Sequence, residues 1–287
     1  MGRGLDHIVH VVRDLDAAGE FYGRLCFQVG ARNRHPWGTH NRLVQLPGFF
    51  LEILAVAEPE KIPPHRPQTF SFGAFNRDFL ERVGEGLACL VLESRDPKAD
   101  KAAFDRAGFG GFDLLEFARK GERADGSETE VAFAIAFARD PMSPRAGFIT
   151  CLHQRPENFW SPELQRHANG ARAISAAVFV AESPTDHHIF LETFSGVREV
   201  HSSSLGISIA TPRGTIQVME RRGFADVFGF EPPGGEGMRL AAVEFAVADL
   251  GATRAFLARN GVEARTHVGR LVVAGAAARG AVLAFAA

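Results

Sequence analysis

LDHIVHVVRDLDAAGEFYGRLCF, from Leu5 to Phe27, is the stretch that decides the fold. Leu5, His7, Val9 and Val11 alternate with Asp6, Ile8, His10 and Val12, a two-residue period with apolar residues on both faces, as in a strand covered on both sides. Arg13-Asp14-Leu15 breaks the alternation. Asp14 is placed as a helix N-cap, and Ala17, Ala18, Phe21, Tyr22 and Leu25 then recur at spacings of three and four, which makes one apolar helical face.

The chain writes this unit again three times. LACLVLESRDPKADKAAFDRAGF has Asp96 for Asp14 and Phe109 for Phe27, with both intervals thirteen residues long. ISAAVFVAESPTDHHIFLETFSGV has Ser183 as its capping residue, and LAAVEFAVADLGATRAFLARNGV has Asp249. The four corners lie 82, 87 and 66 residues apart, too far and too unevenly for a solenoid of short units. Four supersecondary modules are therefore expected.

After the first helix, a loop at Pro36-Trp37-Gly38 leads to a strand at 41–46, a Pro47-Gly48 turn and a strand at 49–56, so the module reads βαβββ. Residues 58–83, proline-rich and then aromatic, read as a connector. The second module continues with strands at 112–120, 131–139 and 147–153, the first two joined by an Asp125-Gly126 turn. A polar, proline-containing segment at 156–171 separates the halves. Later strands are expected in LGISIA, GTIQVME, 264–267, 270–274 and 281–285, with 221–237 as a linker.

A chain of 287 residues with 46% hydrophobic and 23% charged residues can build two real cores. The net charge of −2 and the lack of a basic run give no footprint for nucleic acid or an anionic membrane, so a small-molecule ligand is the expected partner. Three cysteines, all in apolar runs, argue against a disulfide framework and for a reducing, cytoplasmic setting. No apolar run approaches the roughly 20 residues that span a bilayer.

The Leu5–Phe27 stretch and GFFLEIL, residues 48–54, resemble the first strand, aspartate-led corner, helix and fourth strand of glyoxalase-like proteins of the vicinal oxygen chelate superfamily, the glyoxalase, bleomycin-resistance and dioxygenase group. CLHQRPENFW, residues 151–160, resembles a stretch that closes the first barrel in some of them. The resemblance implies an α+β fold of four βαβββ modules paired into two half-open barrels: a first domain over 1–160 holding the site and a second, degenerate one over 172–287. A complete site then needs no dimer, although a homodimer remains possible. One departure is Cys26, where the family usually has glycine, which removes the helix's ordinary left-handed stop.

The resemblance also implies a divalent metal, Fe²⁺, Mn²⁺, Zn²⁺ or Ni²⁺, held by His7 on the first strand and Glu52 on the fourth, and a lyase, isomerase or dioxygenase activity on a substrate with vicinal oxygens. The alternative is a metal-free protein that sequesters a small molecule. Even without the resemblance, a carboxylate inside FFLEIL is costly unless paired, ligated or wet. In the second module the corresponding positions hold Cys89 and Cys151, which read as small apolar wall residues, and His153, two residues on and on the same strand face, becomes the third ligand. If His7 and Glu52 point inward, so should Leu5, Val9, Phe50 and Leu54. The second barrel has Ala176 and Ala242 at its first-strand positions and hence no expected site. Trp37, His40 and Asn41, in RHPWGTHNR, are expected to orient a substrate. His187 and His188 read as solvent-facing.

Overall fold

The computed structural model describes residues 2–122 and 128–287. The first module consists of β1 (Leu5–Val11), α1 (Leu15–Arg24), β2 (Asn33–Arg34), β3 (Thr39–Leu46) and β4 (Phe49–Val56). Helix α2 (Phe72–Arg82) leads to the second: β5 (Gly86–Glu93), α3 (Pro97–Arg106), β6 (Leu115–Glu122), β7 (Glu128–Ala138) and β8 (Gly147–His153). The short α4 (Pro156–Phe159) precedes the third module, formed by β9 (Ala171–Val180), α5 (His188–Ser195), β10 (His201–Ser203), β11 (Gly206–Ala210) and β12 (Thr215–Met219). Helix α6 (Arg221–Phe228) leads to the fourth: β13 (Arg239–Val247), α7 (Leu250–Arg259), β14 (Arg265–His267), β15 (Arg270–Val273) and β16 (Val282–Ala286). The Asp125-Gly126 turn lies outside the described residues.

Two eight-stranded sheets result, ordered β2-β3-β4-β1-β5-β8-β7-β6 and β10-β11-β12-β9-β13-β16-β15-β14. Within each, a module's first and last strands pair in parallel, and the two first strands meet antiparallel at the centre. The fold is α+β, with paired glyoxalase-like modules curling each sheet.

The capping logic of the sequence holds at three corners. Asp14 accepts from the Asp16 and Ala17 amides, Asp96 from Lys98 and Ala99, and Asp249 from Ala252. Ser183 differs: it makes no side-chain cap bond, because the chain first winds into a 3-10 turn at Pro184–His187. That turn also buries His187, whose Nδ1 lies 2.7 Å from Asp140 Oδ2, so His187 is not solvent-facing. Cys26 takes φ +64° despite its side chain, and so supplies the left-handed stop that glycine ordinarily provides.

The convex, helix-bearing faces of the two sheets share one core. Phe148 of the first sheet packs on Phe179 of the second and on Phe190 and Phe194 of α5, with ring centroids 5.8, 4.6 and 5.3 Å away. Truncating such a ring to alanine costs about 3–5 kcal/mol. Separate apolar clusters line each concave face.

Two helices replace expected connectors. Residues 72–82 form α2, capped by Ser71, because Phe72, Phe75 and Phe79 follow helical spacing behind the proline-rich run. Residues 221–228 form α6, whose Phe224, Val227 and Phe228 fill the concave side of the second barrel. No helix among the described residues is long and apolar enough to cross a membrane.

Each module's first strand also carries an inserted residue eight positions before its corner. Ladder pairing skips Asp6, Ala88, Ser175 and Ala241. Such a bulge lets two successive side chains face the same way. Leu5 therefore joins Ile8 in the convex core, correcting its expected inward placement, while Asp6 turns toward the concave side with His7. Val9, Phe50 and Leu54 do face inward.

Candidate metal centre of the first barrel

The concave side of the first sheet encloses a narrow cavity of about 60 Å³. His7, Glu52, Asn41, His35 and Arg119 supply its polar lining, set among Trp37, Phe50, Phe72, Phe117, Phe133 and Phe159. Parallel pairing of β1 with β4 sets Val9 beside Glu52 and His7 beside Phe50, so His7 and Glu52 are diagonal neighbours on one face. Their Nε2 and Oε2 atoms are 3.9 Å apart. The His7 ring stacks on Phe50, with centroids 4.2 Å apart.

Asp6 completes the arrangement from behind. Its Oδ1 is 2.5 Å from His7 Nδ1 and 3.2 Å from His153 Nε2, and its Oδ2 is also 3.2 Å from His153 Nε2. Burial alone raises this carboxyl's pKa, but the two imidazoles outweigh it and hold the group well below the usual carboxylate range. An ionised carboxylate only accepts, so each ring turns an N–H toward Asp6. The other nitrogen of His7, Nε2, faces Glu52 Oε2, and His153 Nδ1 is buried without a partner.

Glu52 is buried, and burial raises its pKa against the pull of His7, Asn41 and Arg119. Asn41 donates to Glu52 Oε1 at 2.6 Å, and His35 Nε2 lies 3.8 Å from the same oxygen. Burial drives the His35 pKa down to about 3, so this ring is neutral near pH 7. Its Nδ1 lies 2.9 Å from Thr39 Oγ1, and it stacks on Trp37 at 4.9 Å. Burial pushes the thiols of Cys89 and Cys151 well above their ordinary pKa, which makes both neutral wall residues in the absence of a metal.

Of the residues singled out in the sequence, His7, Glu52, Trp37 and Asn41 line the cavity. His153 lies behind it, packed on Phe159 and Trp160 at 4.6 and 5.4 Å, although it shares Asp6 with His7. Because both ring nitrogens touch one oxygen of Asp6, they are less than about 6 Å apart. His40 differs from expectation. Strand alternation turns it away from Asn41, onto Glu58 at 3.2 Å and Arg32 at 3.4 Å.

Asp6 and Arg119 escaped the sequence reading, whereas His35 belongs to the RHPWGTHNR stretch singled out there and does line the cavity. Asp6 depends on the bulge, and Arg119 reaches the cavity from the outer strand β6, where Nη1 donates to Asn33 at 2.8 Å. The tightest cluster of potential metal donors among the described residues is Asp6, Cys151 and His153, with ligand atoms within 4.8 Å of one another. The donor chemistry fits a divalent ion: buried imidazole lone pairs and carboxylates suit Fe, Mn, Zn or Ni. Among the described residues, the second barrel has no equivalent. At its centre Glu244 is paired with Arg270 and accepts from Ser175 at 3.1 Å, beside Ala176, Ala241 and Ala242.

Comparison with known proteins agrees with this architecture. A hypothetical protein from Staphylococcus aureus superposes with a TM-score of 0.68 at 12% identity, over 99% of this chain and 98% of that one. A triple mutant of 4-hydroxymandelate synthase from Streptomyces coelicolor gives 0.61 at 12% identity, over 99% and 92%. A xylose isomerase-like TIM barrel/4-hydroxyphenylpyruvate dioxygenase fusion protein gives 0.52 at 18%, over 92% of this chain and 39% of that one. At these identities the likeness is one of fold. No curated protein matches the sequence significantly. The family described as a glyoxalase-like domain matches residues 5–194, two thirds of the chain. That match covers more than half of the chain, and the chain belongs to the glyoxalase-like domain family.

Proposed function

We propose that the first barrel is the active site of a divalent-metal-dependent enzyme, with His7 and Glu52 as ligands and Asp6 as the carboxylate that orients the His7 imidazole, itself held from behind the cavity by His153. The observation that carries this reading is the 3.9 Å separation between His7 Nε2 and Glu52 Oε2, an imidazole nitrogen and a carboxylate oxygen facing each other at a buried cavity wall. Ligand bonds of about 2.0–2.2 Å from each would meet between them. The Asp6–His7 contact behind them is the carboxylate–histidine support that fixes tautomer and ring direction at metal sites.

A bound ion of this class supplies Lewis acidity to a substrate carbonyl or enolate, as a lyase, isomerase or dioxygenase of this superfamily requires. The chain supplies the rest. Asn41 fixes one oxygen of Glu52, leaving the other directed at His7. Arg119 adds a half-buried positive charge for an anionic substrate oxygen, and Trp37 Nε1 is a buried donor without a protein partner. The phenylalanine walls exclude water and select a compact aromatic or apolar body. The substrate is thus a small molecule with two neighbouring oxygens on an apolar frame.

The test is metal analysis of the purified protein before and after chelation, followed by readdition of Fe²⁺, Mn²⁺, Zn²⁺ and Ni²⁺. One equivalent bound per chain, lost with Glu52→Gln, supports the assignment. A protein that binds none of the four, yet takes up aromatic ligands in the barrel, is a sequestering protein instead.

A further inference from the structure

We propose that Arg145, Arg221 and Arg239 form a second ligand site, on the seam between the two barrels and apart from the metal centre, that takes a phosphate or carboxylate oxyanion of a small metabolite. Arg145 comes from the β7–β8 connection, Arg221 opens α6 and Arg239 opens β13. The seam is tight. The Met238 amide donates to Ser143 Oγ at 3.2 Å, and a Cβ on Gly237 would stand 2.1 Å from the Met142 carbonyl oxygen.

Arg239 is only 5% exposed, and its Nε and Nη1 are buried without an acceptor. Its Nη2 donates to the Pro233 carbonyl, which Arg221 Nη1 also approaches at 3.4 Å. A Cβ placed on Gly235 would lie 2.8 Å from Arg239 Nη1 and 2.9 Å from Arg145 Nη1. Two guanidinium groups therefore converge on the backbone of the exposed Gly235, where any side chain would meet them. Among the described residues, the acid paired with this trio is Glu231, at 3.4 Å from Arg221. Burial first, then Arg221 and Arg145, depress the Arg239 pKa, as expected for a buried cation beside like charges.

Guanidinium groups of this kind bind carboxylate and phosphate through paired N–H donors. Room for more than a bare ion lies next door. Arg145 also lines a cleft of about 590 Å³ with Arg66, Arg82, Arg139 and Phe112, and Arg139 stacks over the Phe112 ring at 4.9 Å. The two acids of that cleft are engaged elsewhere, Asp78 with Arg77 and Asp140 with His187 and Ser143.

The experiment is thermal unfolding of the full chain at constant ionic strength, titrated with inorganic phosphate in one arm and citrate in the other. Ligand at about ten times its dissociation constant is expected to raise the midpoint by about 2–4 °C in at least one arm, and the responding arm identifies the oxyanion. Half-exposed Arg145→Gln and exposed Arg221→Gln keep the fold and remove the response, and Arg145→Gln unfolds at a higher temperature than the unmodified chain when no anion is present. No response in either arm, or a response undiminished in both variants, overturns the site and leaves Arg239 as a clamp on the Pro233 loop.

Discussion

Asp6 and His153, 147 residues apart in sequence, meet at 3.2 Å because a bulge in β1 turns Asp6 to the concave side and the parallel partner of β5 carries His153 to the same end of the barrel. One carboxylate thus holds an imidazole from each of two modules. Asp6→Asn keeps the shape but removes the negative charge between the rings and puts an amide donor where the second carboxylate oxygen accepted. Metal affinity is expected to fall about 10–100-fold, read by competition against a chromogenic chelator. Unchanged affinity would remove Asp6 from the site.

Glu52→Gln separates the ligand role from a structural one. Burial already disfavours its charge, so the amide is expected to leave the thermal midpoint nearly unchanged in metal-free protein, while metal occupancy drops strongly. Elemental analysis beside a melting curve gives both numbers. Retained metal would mean that His7 and Glu52 are not the ligand pair.

Function is expected to reside in one half. Ala176→Ser and Ala242→Ser, on the concave side of the second barrel, should leave metal content unaltered, since apolar side chains of α6 fill that barrel. Loss of metal in a variant that still folds would place the centre in the wrong barrel.

His10 predicts how stability depends on pH. It is fully buried, with Nδ1 2.7 Å from Tyr22 Oη and Nε2 2.9 Å from the Arg279 carbonyl oxygen, and burial lowers its pKa to about 4 from an ordinary 6.5. Between those values the unfolded chain binds the proton and the folded chain does not. Stability is therefore complete above pH 6.5 and falls as pH drops toward 4, by about 3 kcal/mol from this group. Denaturant titrations across that window should show the slope, and His10→Gln should flatten it.

Cys26→Gly tests the left-handed stop. A non-glycine residue at φ +64° is strained by about 1–2 kcal/mol. Against that, Cys26 Sγ accepts from Asn260 Nδ2 at 3.2 Å. The glycine variant is expected to be more stable by about 0.5–1 kcal/mol. A lower denaturation midpoint would show that the Asn260 contact outweighs the strain.

The sequence by itself determined the four modules, because their signals are local: alternation makes each first strand, an aspartate caps the following helix at three of the four corners, and in the first module Pro47-Gly48 turns one strand into the next. It also determined that His7 and Glu52 share a face, since both sit on regular strand positions with apolar neighbours. What it could not determine depended on partners distant in the chain. The bulge at Asp6 exists only as a mismatch between β1 and β5, so no count along β1 reveals that Asp6 turns inward and Leu5 outward. Arg119 enters the cavity because the sheet curls, which brings edge strand β6 over the concave face. Tertiary packing likewise decided that α6 fills one barrel while the other keeps a cavity. Sequence spacing sets which way a side chain points on its own element, whereas the space in front of that side chain belongs to whatever the rest of the chain places there.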